Sequence, residues 1–275
     1  MKPKQRIVIL FGEDDRKRAR GYVIHYLAEI WRSLGIHVEY LFGADRFVPA
    51  DIAIVHVDLS VVPDKFLELA RKYPAAINGD VKDIRKTQYS ELQLESAEDY
   101  HGQVIVKSNF NYGGIPESRG FNKLLRKISR KVFAGSPRFG AYRVFNKFID
   151  VPERYLDNDE FIVEKFLPER VGDLYAVRNF HFLGDSSSCT RMFSLQPVIS
   201  GRTSTRIDHI DTHSKMFEIR RNLKIDYGKI DFVVHQDKPI VLDVNKTVGF
   251  GGLAYDNNLK ALHRKRAMGI YCYFP

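Results

Sequence analysis

Residues 228–247 read GKIDFVVHQDKPIVLDVNKT. Two apolar runs of strand length flank the polar segment HQDKP, and this pattern predicts an antiparallel hairpin. Asp231 opens the first strand, whereas Asp243 and Asn245 end the second strand two residues apart, so their side chains share one face. The hairpin brings Asp231 close to them, and two carboxylates with an amide oxygen suit Mg²⁺. An ordinary turn and strand end is an equal alternative, because Asp-x-Asn is short and common.

The rest of the chain favours a multi-part α/β protein. Apolar runs at 6–11, 36–42 and 51–57 predict strands, and helices are predicted between them and after them at 20–34 and 63–72. This alternation is typical of a parallel sheet of βαβ units. Further strands are predicted at 104–107, 142–148 and 161–167, a second hairpin at 175–197 around Gly184 and Asp185, and helices at 122–133, 210–222 and 257–268.

Composition excludes several other classes of protein. The chain has 275 residues, and no stretch approaches the roughly 20 apolar residues that span a bilayer. The apolar run near the start is too short for a signal peptide, and no dinucleotide-binding G-x-G-x-x-G follows it. Cys189 and Cys272 are far apart and lack metal-ligand spacing. We therefore expect reduced thiols in a cytoplasmic protein that does not contact a membrane.

Part of the net charge of +9 lies in two basic runs, at 16–20 and at 123–131. The first comprises Arg16, Lys17, Arg18 and Arg20 and precedes a predicted helix, where the helix dipole disfavours cations. Cations there make sense if an anion binds between them, so an anionic acceptor substrate is one hypothesis. The alternative is a solvated helix face, which we favour.

The hairpin resembles the metal-binding hairpin of the ATP-grasp superfamily, in particular the group of ribosomal-protein-glutamate ligase, D-alanine–D-alanine ligase and glutathione synthetase. In that superfamily a strand begins with Asp, and the next strand ends in Glu-x-Asn or Asp-x-Asn. The similarity extends over residues 77–255 through weaker motifs in the right order. It implies an N-terminal parallel α/β domain at 1–85, a central subdomain with a glycine loop at 86–165, and a C-terminal subdomain with the metal site at 166–275.

The resemblance also implies roles for individual residues. The phosphate-binding lysines would be Lys86, with Lys82 as the alternative, and Lys107. The glycine loop would use Gly113 and Gly114, whose backbone approaches an anion closely. The adenine would lie against Glu164, Lys165, Phe166 and Leu167, and the ribose against Glu169. Arg178 and Arg191 would face the γ-phosphate as catalytic residues, although a strand arginine can also form a structural ion pair. Asp231, Asp243 and Asn245 would hold Mg²⁺, or alternatively Mn²⁺.

The implied reaction is a ligation in which ATP converts a carboxylate into an acyl phosphate, and an amine or similar nucleophile then displaces phosphate. The substrates would be small molecules or peptides. A small-molecule kinase or a nucleotide-binding pseudoenzyme would keep the same ATP residues. The loop at 108–120 has fewer glycines than is usual, and Asp243 stands where Glu is commoner, which leaves the pseudoenzyme open. The ordered nucleotide motifs argue against a nucleic-acid partner. A homo-oligomer stays possible, and the substrates stay unidentified.

Overall fold

The computed structural model describes residues 5–120, 142–201, 203–250 and 256–274. Three sheets follow one another along the chain. The predicted helix at 122–133 and the second basic run lie outside the described residues. Within those residues, no helix is both long and apolar enough to cross a membrane.

The first sheet is parallel, as predicted, and its strand order is β2-β1-β3-β4. Its elements are β1 (Arg6–Phe11), α1 (Val23–Ser33), β2 (His37–Phe42), β3 (Ile52–Val55), α2 (Asp64–Ala70) and β4 (Ala75–Ile77). Ile7 and Ile9 pack towards α1, whereas Val8 and Leu10 pack towards α2. The sheet is covered on both faces, which explains why its strands are continuously apolar. The short strand β4 was not predicted.

The second sheet has three antiparallel strands in the order β6-β5-β7. They are β5 (Val104–Ser108), β6 (Arg143–Phe145) and β7 (Phe161–Lys165), with the short helix α3 (Glu153–Leu156) before β7. Val104, Val106 and Val163 share one face and pack with Tyr155 of α3 in a small core. The opposite face therefore presents Ile105, Lys107 and Glu164, because side chains alternate along a strand.

The third sheet is antiparallel and holds both predicted hairpins. Its elements are β8 (Glu169–Val171), β9 (Leu174–Leu183), β10 (Ser186–Ser194), β11 (Arg206–Ile210), α4 (Lys215–Asn222), β12 (Tyr227–His235) and β13 (Lys238–Asn245). The turn between β12 and β13 consists of Gln236 and Asp237, which both have positive φ, as a two-residue hairpin turn requires. The predicted helix at 210–222 is shorter than expected, because the chain up to Ile210 pairs with β10 as β11.

The last helix, α5 (Asn257–Met268), returns to the first sheet. The indole Nε1 of Trp31 in α1 donates a hydrogen bond to the carbonyl of Ala267 at 2.9 Å, and Ala267 and Ile270 join the core under α1. Asn78, at the end of β4, also joins the first sheet to the third through hydrogen bonds to Asp226 and Tyr227. The fold class is thus the predicted α/β class, while the domain limits at 85 and 165 stay predictions.

Candidate active site

A cleft lies between the second and third sheets. Both sheets contribute strand residues to its walls, and the segment between β7 and β8 closes one side. The lining residues are Ile105, Lys107, Tyr142, Lys165, Phe166, Leu167, Pro168, Ala176, Val177, Pro197, Val198, Ile199, Asp231, Val233, Leu242 and Asp243. Six of the predicted site residues are among them, so the structure brings β5, residues 165–168 (the hinge segment) and the acidic hairpin of β12 and β13 to one place.

The two carboxylates of the hairpin meet across β12 and β13. Asp231 lies directly opposite Asp243 in the register, and a bulge follows immediately, after which Phe232 pairs with Val241. Asn245 lies two residues beyond Asp243 on the same face, and its side-chain oxygen accepts a hydrogen bond from the backbone N–H of Thr247 at 2.8 Å. Directly paired residues in an antiparallel ladder point to the same side, so both carboxylates face the cleft.

Each carboxylate forms an ion pair with a lysine. The Lys229 ammonium lies 2.8 Å from Asp231, and the Lys86 ammonium lies 2.9 Å from Asp243. The amide of Asn179 on β9 donates a further hydrogen bond to Asp231 at 2.6 Å. Lys86 is buried in the short turn before β5, and its ammonium also donates to the carbonyl of Phe110 at 3.1 Å. The predicted phosphate lysine and the predicted metal ligand are therefore in contact, although 157 residues separate them in sequence (243 − 86).

The pKa values in this cluster reflect burial and crowding of charge. Burial raises the pKa of Asp231, Lys229 opposes that rise, and the neighbouring Asp243 adds to it. Burial lowers the pKa of Lys229, but the charge of Asp231, its hydrogen bond and the charge of Asp243 together outweigh burial, so the pKa of Lys229 is raised. Because Asp243 adds to the raised pKa of Asp231, the two carboxylates crowd negative charge at close range, and a bound cation would relieve that repulsion.

The donor set fits Mg²⁺. Among the described residues, no group of three His, Cys, Asp or Glu side chains forms a metal cage. Two carboxylates and an amide oxygen nevertheless suffice for Mg²⁺, because this ion keeps several waters and shares its shell with substrate phosphates. The all-oxygen set also accepts Mn²⁺. Asp231, Asp243 and Asn245 thus stay the predicted metal ligands.

The opposite wall of the cleft carries a buried ion pair. The Lys107 ammonium lies 2.5 Å from a carboxylate oxygen of Glu164, and both side chains are less than a tenth exposed. Lys107 and Glu164 share the cleft-facing side of β5 and β7, since Ile105 pairs with Glu164 in the register. The pair holds the Lys107 ammonium where a phosphate in the cleft can reach it.

The hinge segment after β7 leaves only part of its backbone available. The N–H of Lys165 donates to the carbonyl of Leu92 at 2.8 Å, and the N–H of Phe166 donates to that of Gln103 at 2.9 Å. Within the described parts of the chain, the N–H of Leu167 has no such acceptor. Of the predicted adenine-binding residues, Leu167 therefore has the backbone donor that is free for a ligand.

The glycine loop begins against the segment that follows β3. The N–H of Asn111 donates to the hydroxyl of Ser60 at 2.7 Å, and the N–H of Ser60 donates to Glu117 at 2.7 Å. Gly113 and Gly114 both have positive φ, which is the conformation that favours glycine. Neither glycine lines the cleft, so their predicted contact with phosphates stays a prediction.

Three predicted residues lie elsewhere than expected. Arg178 pairs with Phe232, whereas Asn179 pairs with Asp231, so Arg178 points to the face opposite the acids. Arg191 pairs with Arg178 and shares that face. The guanidinium of Arg178 binds Glu169 at 2.7 Å, and Glu169 also accepts the N–H of Val234 at 2.8 Å. Arg178 and Glu169 thus form an ion pair on the face away from the acids, and none of the three residues is among those that line the cleft. Their predicted catalytic and ribose-binding roles stay predictions.

Two residues near the acids were missed. Lys229 lies two positions before Asp231 on the same strand, so the sequence K-I-D already placed both on one face. Asn179 could not be recognised, because its place opposite Asp231 depends on the register between β9 and β12.

The first basic run lies after the carboxyl end of β1, and two of its side chains contact other residues of the protein. Arg18 pairs with Asp15 at 3.1 Å, and the guanidinium of Arg16 lies 4.5 Å above the ring of Phe42.

Cys189 is buried, which raises the pKa of its thiol to about 11, so it is a packed thiol. Both cysteines are free.

Solved structures with the same fold identify the architecture. A RimK domain ATP-grasp protein from Sphaerobacter thermophilus DSM 20745 superposes with a TM-score of 0.52 at 13% identity, over 97% of this chain and 98% of that one. The macrocyclase MdnC from Microcystis aeruginosa MRC, bound with the precursor peptide MdnA, gives 0.51 at 11% identity, over 96% and 98%. No protein-family model and no curated protein matches the sequence. The chain has the ATP-grasp fold.

Proposed function

We propose that the protein is an ATP-dependent ligase of the ADP-forming, carboxylate–amine type. The observation that carries this proposal is that Lys107 and two carboxylates line one cleft and that two further lysines contact those carboxylates. Lys107 comes from one sheet, Lys229 and the two acids from the other, and Lys86 from the segment that joins the first and second sheets. Such a set binds a polyphosphate and balances the charge that develops when a phosphoryl group is transferred.

The chain's own residues account for ATP binding in three parts. The N–H of Leu167 would donate to the adenine edge, and the apolar side chains of Val177 and Leu242 would contact the ring. Lys86, Lys107 and Lys229 would move from their carboxylate partners to phosphate oxygens, and Lys229 would take the place that the resemblance gives to Arg178. Mg²⁺, held by Asp231, Asp243 and Asn245, would neutralise charge on the transferring phosphoryl group.

The reaction needs no nucleophilic side chain. An oxygen of the substrate carboxylate attacks the γ-phosphorus, the bond to the β-phosphate oxygen breaks, and ADP leaves. The amine nitrogen of the acceptor then attacks the acyl carbon, phosphate leaves with the bonding electrons, and the nitrogen loses a proton. The lysines stabilise charge in both steps, and a closed loop at 111–120 would keep water from the acyl phosphate. The free thiols fit a cytoplasmic location.

The test is a screen of carboxylates and amines for release of ADP and phosphate, with hydroxylamine added to trap an acyl phosphate as a hydroxamate. Ligation predicts equal amounts of ADP and phosphate and requires both substrates. A stable phosphorylated product without free phosphate would instead identify a kinase. Binding of ATP with Mg²⁺ but no turnover over the whole screen would identify a nucleotide-binding protein without this activity.

A further inference from the structure

Tyr142 lines the cleft but was not predicted as a site residue. It immediately precedes β6, in which Val144 pairs with Ile105 of β5. Continuing this antiparallel register by two residues places Tyr142 opposite Lys107, and residues directly opposite point to the same face with Cβ atoms about 5 Å apart. Ile105 and Lys107 line the cleft as well. The side chain of Tyr142 therefore extends from the second sheet into the cleft, beside Lys107.

The two walls of the cleft meet at this level of β5. The Lys107 ammonium, which is paired with Glu164 on its own wall, also donates a hydrogen bond to the carbonyl of Leu242 on β13 at 3.5 Å. Leu242 immediately precedes Asp243, and both residues line the cleft. Tyr142 therefore lies across from the acidic hairpin, in the part of the cleft where Mg²⁺ would meet the phosphates of a nucleotide.

The Tyr142 hydroxyl lies among negative charges. Burial raises its pKa, and the charges of Asp243, Asp231 and Glu164, which come from both walls, raise it further. The residue as a whole is nevertheless 46% exposed. Both observations fit a ring on the open side of the cleft whose hydroxyl end is enclosed between the walls. Within the described residues the hydroxyl has no hydrogen-bond partner.

An anion that enters the cleft can accept a hydrogen bond from this hydroxyl. A protonated tyrosine hydroxyl is a donor, and its ordinary pKa already keeps it protonated at neutral pH. Hydrogen bonds to charged acceptors are stronger than those between neutral groups. Each of the three carboxylates around Tyr142 already has a lysine partner, so the proton of the hydroxyl stays available for a ligand.

The glycine loop leaves a place for such a donor. The loop at 108–120 has few glycines, and neither Gly113 nor Gly114 lines the cleft. β5 leads into this loop, and Tyr142 lies beside the end of β5 through the pairing of β6 with that strand. Tyr142 can thus supply, from a position fixed by the sheet, a phosphate donor that the two glycines do not supply in this structure.

We propose that the Tyr142 hydroxyl donates a hydrogen bond to the β- or γ-phosphate of a bound nucleoside triphosphate, so that Tyr142 and Lys107 bind the polyphosphate from the same wall. The base would lie at the other end of β5, because Val104 pairs with Lys165 of the hinge segment. Lys107 is three residues further on, about 10 Å along the strand. This contact rests on the proposed ATP-dependent function, and the experiment distinguishes the failure of one from the failure of the other.

The experiment titrates ATP with Mg²⁺ into the wild type, Tyr142→Phe and Tyr271→Phe by calorimetry, with and without millimolar AMP as a competitor. Phenylalanine keeps the ring and removes only the hydroxyl, and Tyr271 is a control tyrosine that is 42% exposed and does not line the cleft. We expect Tyr142→Phe to bind ATP about tenfold more weakly than the wild type, because a hydrogen bond to a charged group is lost. The affinity for AMP, which lacks both outer phosphates, should stay at the wild-type value.

Unchanged ATP affinity in Tyr142→Phe would overturn the Tyr142 contact and leave the ATP site intact. An equal loss for ATP and AMP would also overturn it, since the hydroxyl would then contact the base, the ribose or the α-phosphate. Without nucleotide, Tyr142→Phe should melt at the wild-type temperature, and a clearly lower temperature would show that the fold itself uses the hydroxyl and would contradict the proposal. No binding of ATP by the wild type would reject the proposed function, and this contact with it.

Discussion

The two faces of the sheet formed by β9, β12 and β13 use charged residues differently. On the cleft face, Asp231 and Asp243 lie opposite one another and are neutralised by lysines that come from different parts of the chain. On the other face, Arg178 and Glu169 form a local pair beside a core of Phe180, Ile230 and Phe232, and the carboxylate also accepts a backbone N–H. The first arrangement can exchange its partners for a ligand, whereas the second is complete. We therefore expect variants on the cleft face to lose activity and variants on the other face to lose stability.

The largest expected effect is on the cleft face. Asp231→Asn or Asp243→Asn should lower turnover by about a hundredfold or more, because a metal ligand that positions the transferring phosphoryl group is lost. The melting temperature should fall less than for Arg178→Met, because the loss of the partner of Lys229 or Lys86 is offset by relief of the repulsion between two close carboxylates. Turnover and melting temperature are measured on the same preparations.

Asp237→Asn is the matched control for these variants. Asp237 is exposed in the turn of the same hairpin and has positive φ, which asparagine tolerates. It should retain normal turnover. Wild-type turnover in both cleft variants would contradict the assignment of Asp231 and Asp243 as metal ligands.

On the opposite face, Arg178→Met should reduce the free energy of unfolding by about 3 kcal/mol, since it leaves Glu169 buried without its partner. Turnover per folded molecule should change little. Denaturant unfolding gives the stability, and the double variant Arg178→Met with Glu169→Gln should recover part of it, because the orphaned charge is gone. A collapse of turnover with normal stability would return Arg178 to the catalytic role that the sequence suggested.

His56 gives a third case, a buried group with no hydrogen-bond partner for either ring nitrogen within the described residues. Burial lowers its pKa to about 3. The folded state therefore stays unprotonated at this residue between pH 7 and pH 5, while the unfolded state gains a proton as pH falls through about 6.5. Stability should decrease by about 2 kcal/mol over that range from His56 alone.

Urea unfolding of the wild type and His56→Phe at pH 7 and pH 5 measures this contribution. Phenylalanine suits the surroundings, because the rings of Phe11 and Tyr22 lie 5.0 and 4.8 Å from His56. The variant should lose about 2 kcal/mol less than the wild type between the two pH values. An equal loss in both proteins would show that His56 is not buried in its neutral form.

The smallest effect concerns Mg²⁺ alone. Lys229 and Lys86 already neutralise the two acids, so Mg²⁺ without nucleotide should barely change the melting temperature of the wild type. Lys229→Met removes one of these cations, and Mg²⁺ at millimolar concentration should then stabilise the protein by about 1 kcal/mol. Thermal melts of the wild type and Lys229→Met, with and without Mg²⁺ in buffer free of Ca²⁺, measure this stabilisation. A strong response of the wild type to Mg²⁺ alone would show that the lysines do not occupy the acids.

Strand parity explains which of the predicted site residues the structure brings to one face. Asp231, Asp243 and Asn245 belong to one hairpin, so their common face follows from the period of two and a short turn. Arg178 belongs to a different strand, and whether residue 178 or 179 faces the cleft depends on how β9 pairs with β12. A shift of one residue in that register would turn every side chain of β9 over. The sequence does not contain that long-range pairing in any local pattern.

The sequence by itself determined the α/β class, the parallel first sheet, both hairpins and the acidic pair, because these depend on local periodicity and short turns. Only the tertiary structure decided that Lys86 meets Asp243 and that Arg178 binds Glu169. Both contacts depend on how separate segments and strands pack against one another. Burial makes these contacts important for stability. A lysine or arginine that is hydrated at the surface needs no partner, whereas a buried one destabilises the fold unless an anion is close to it.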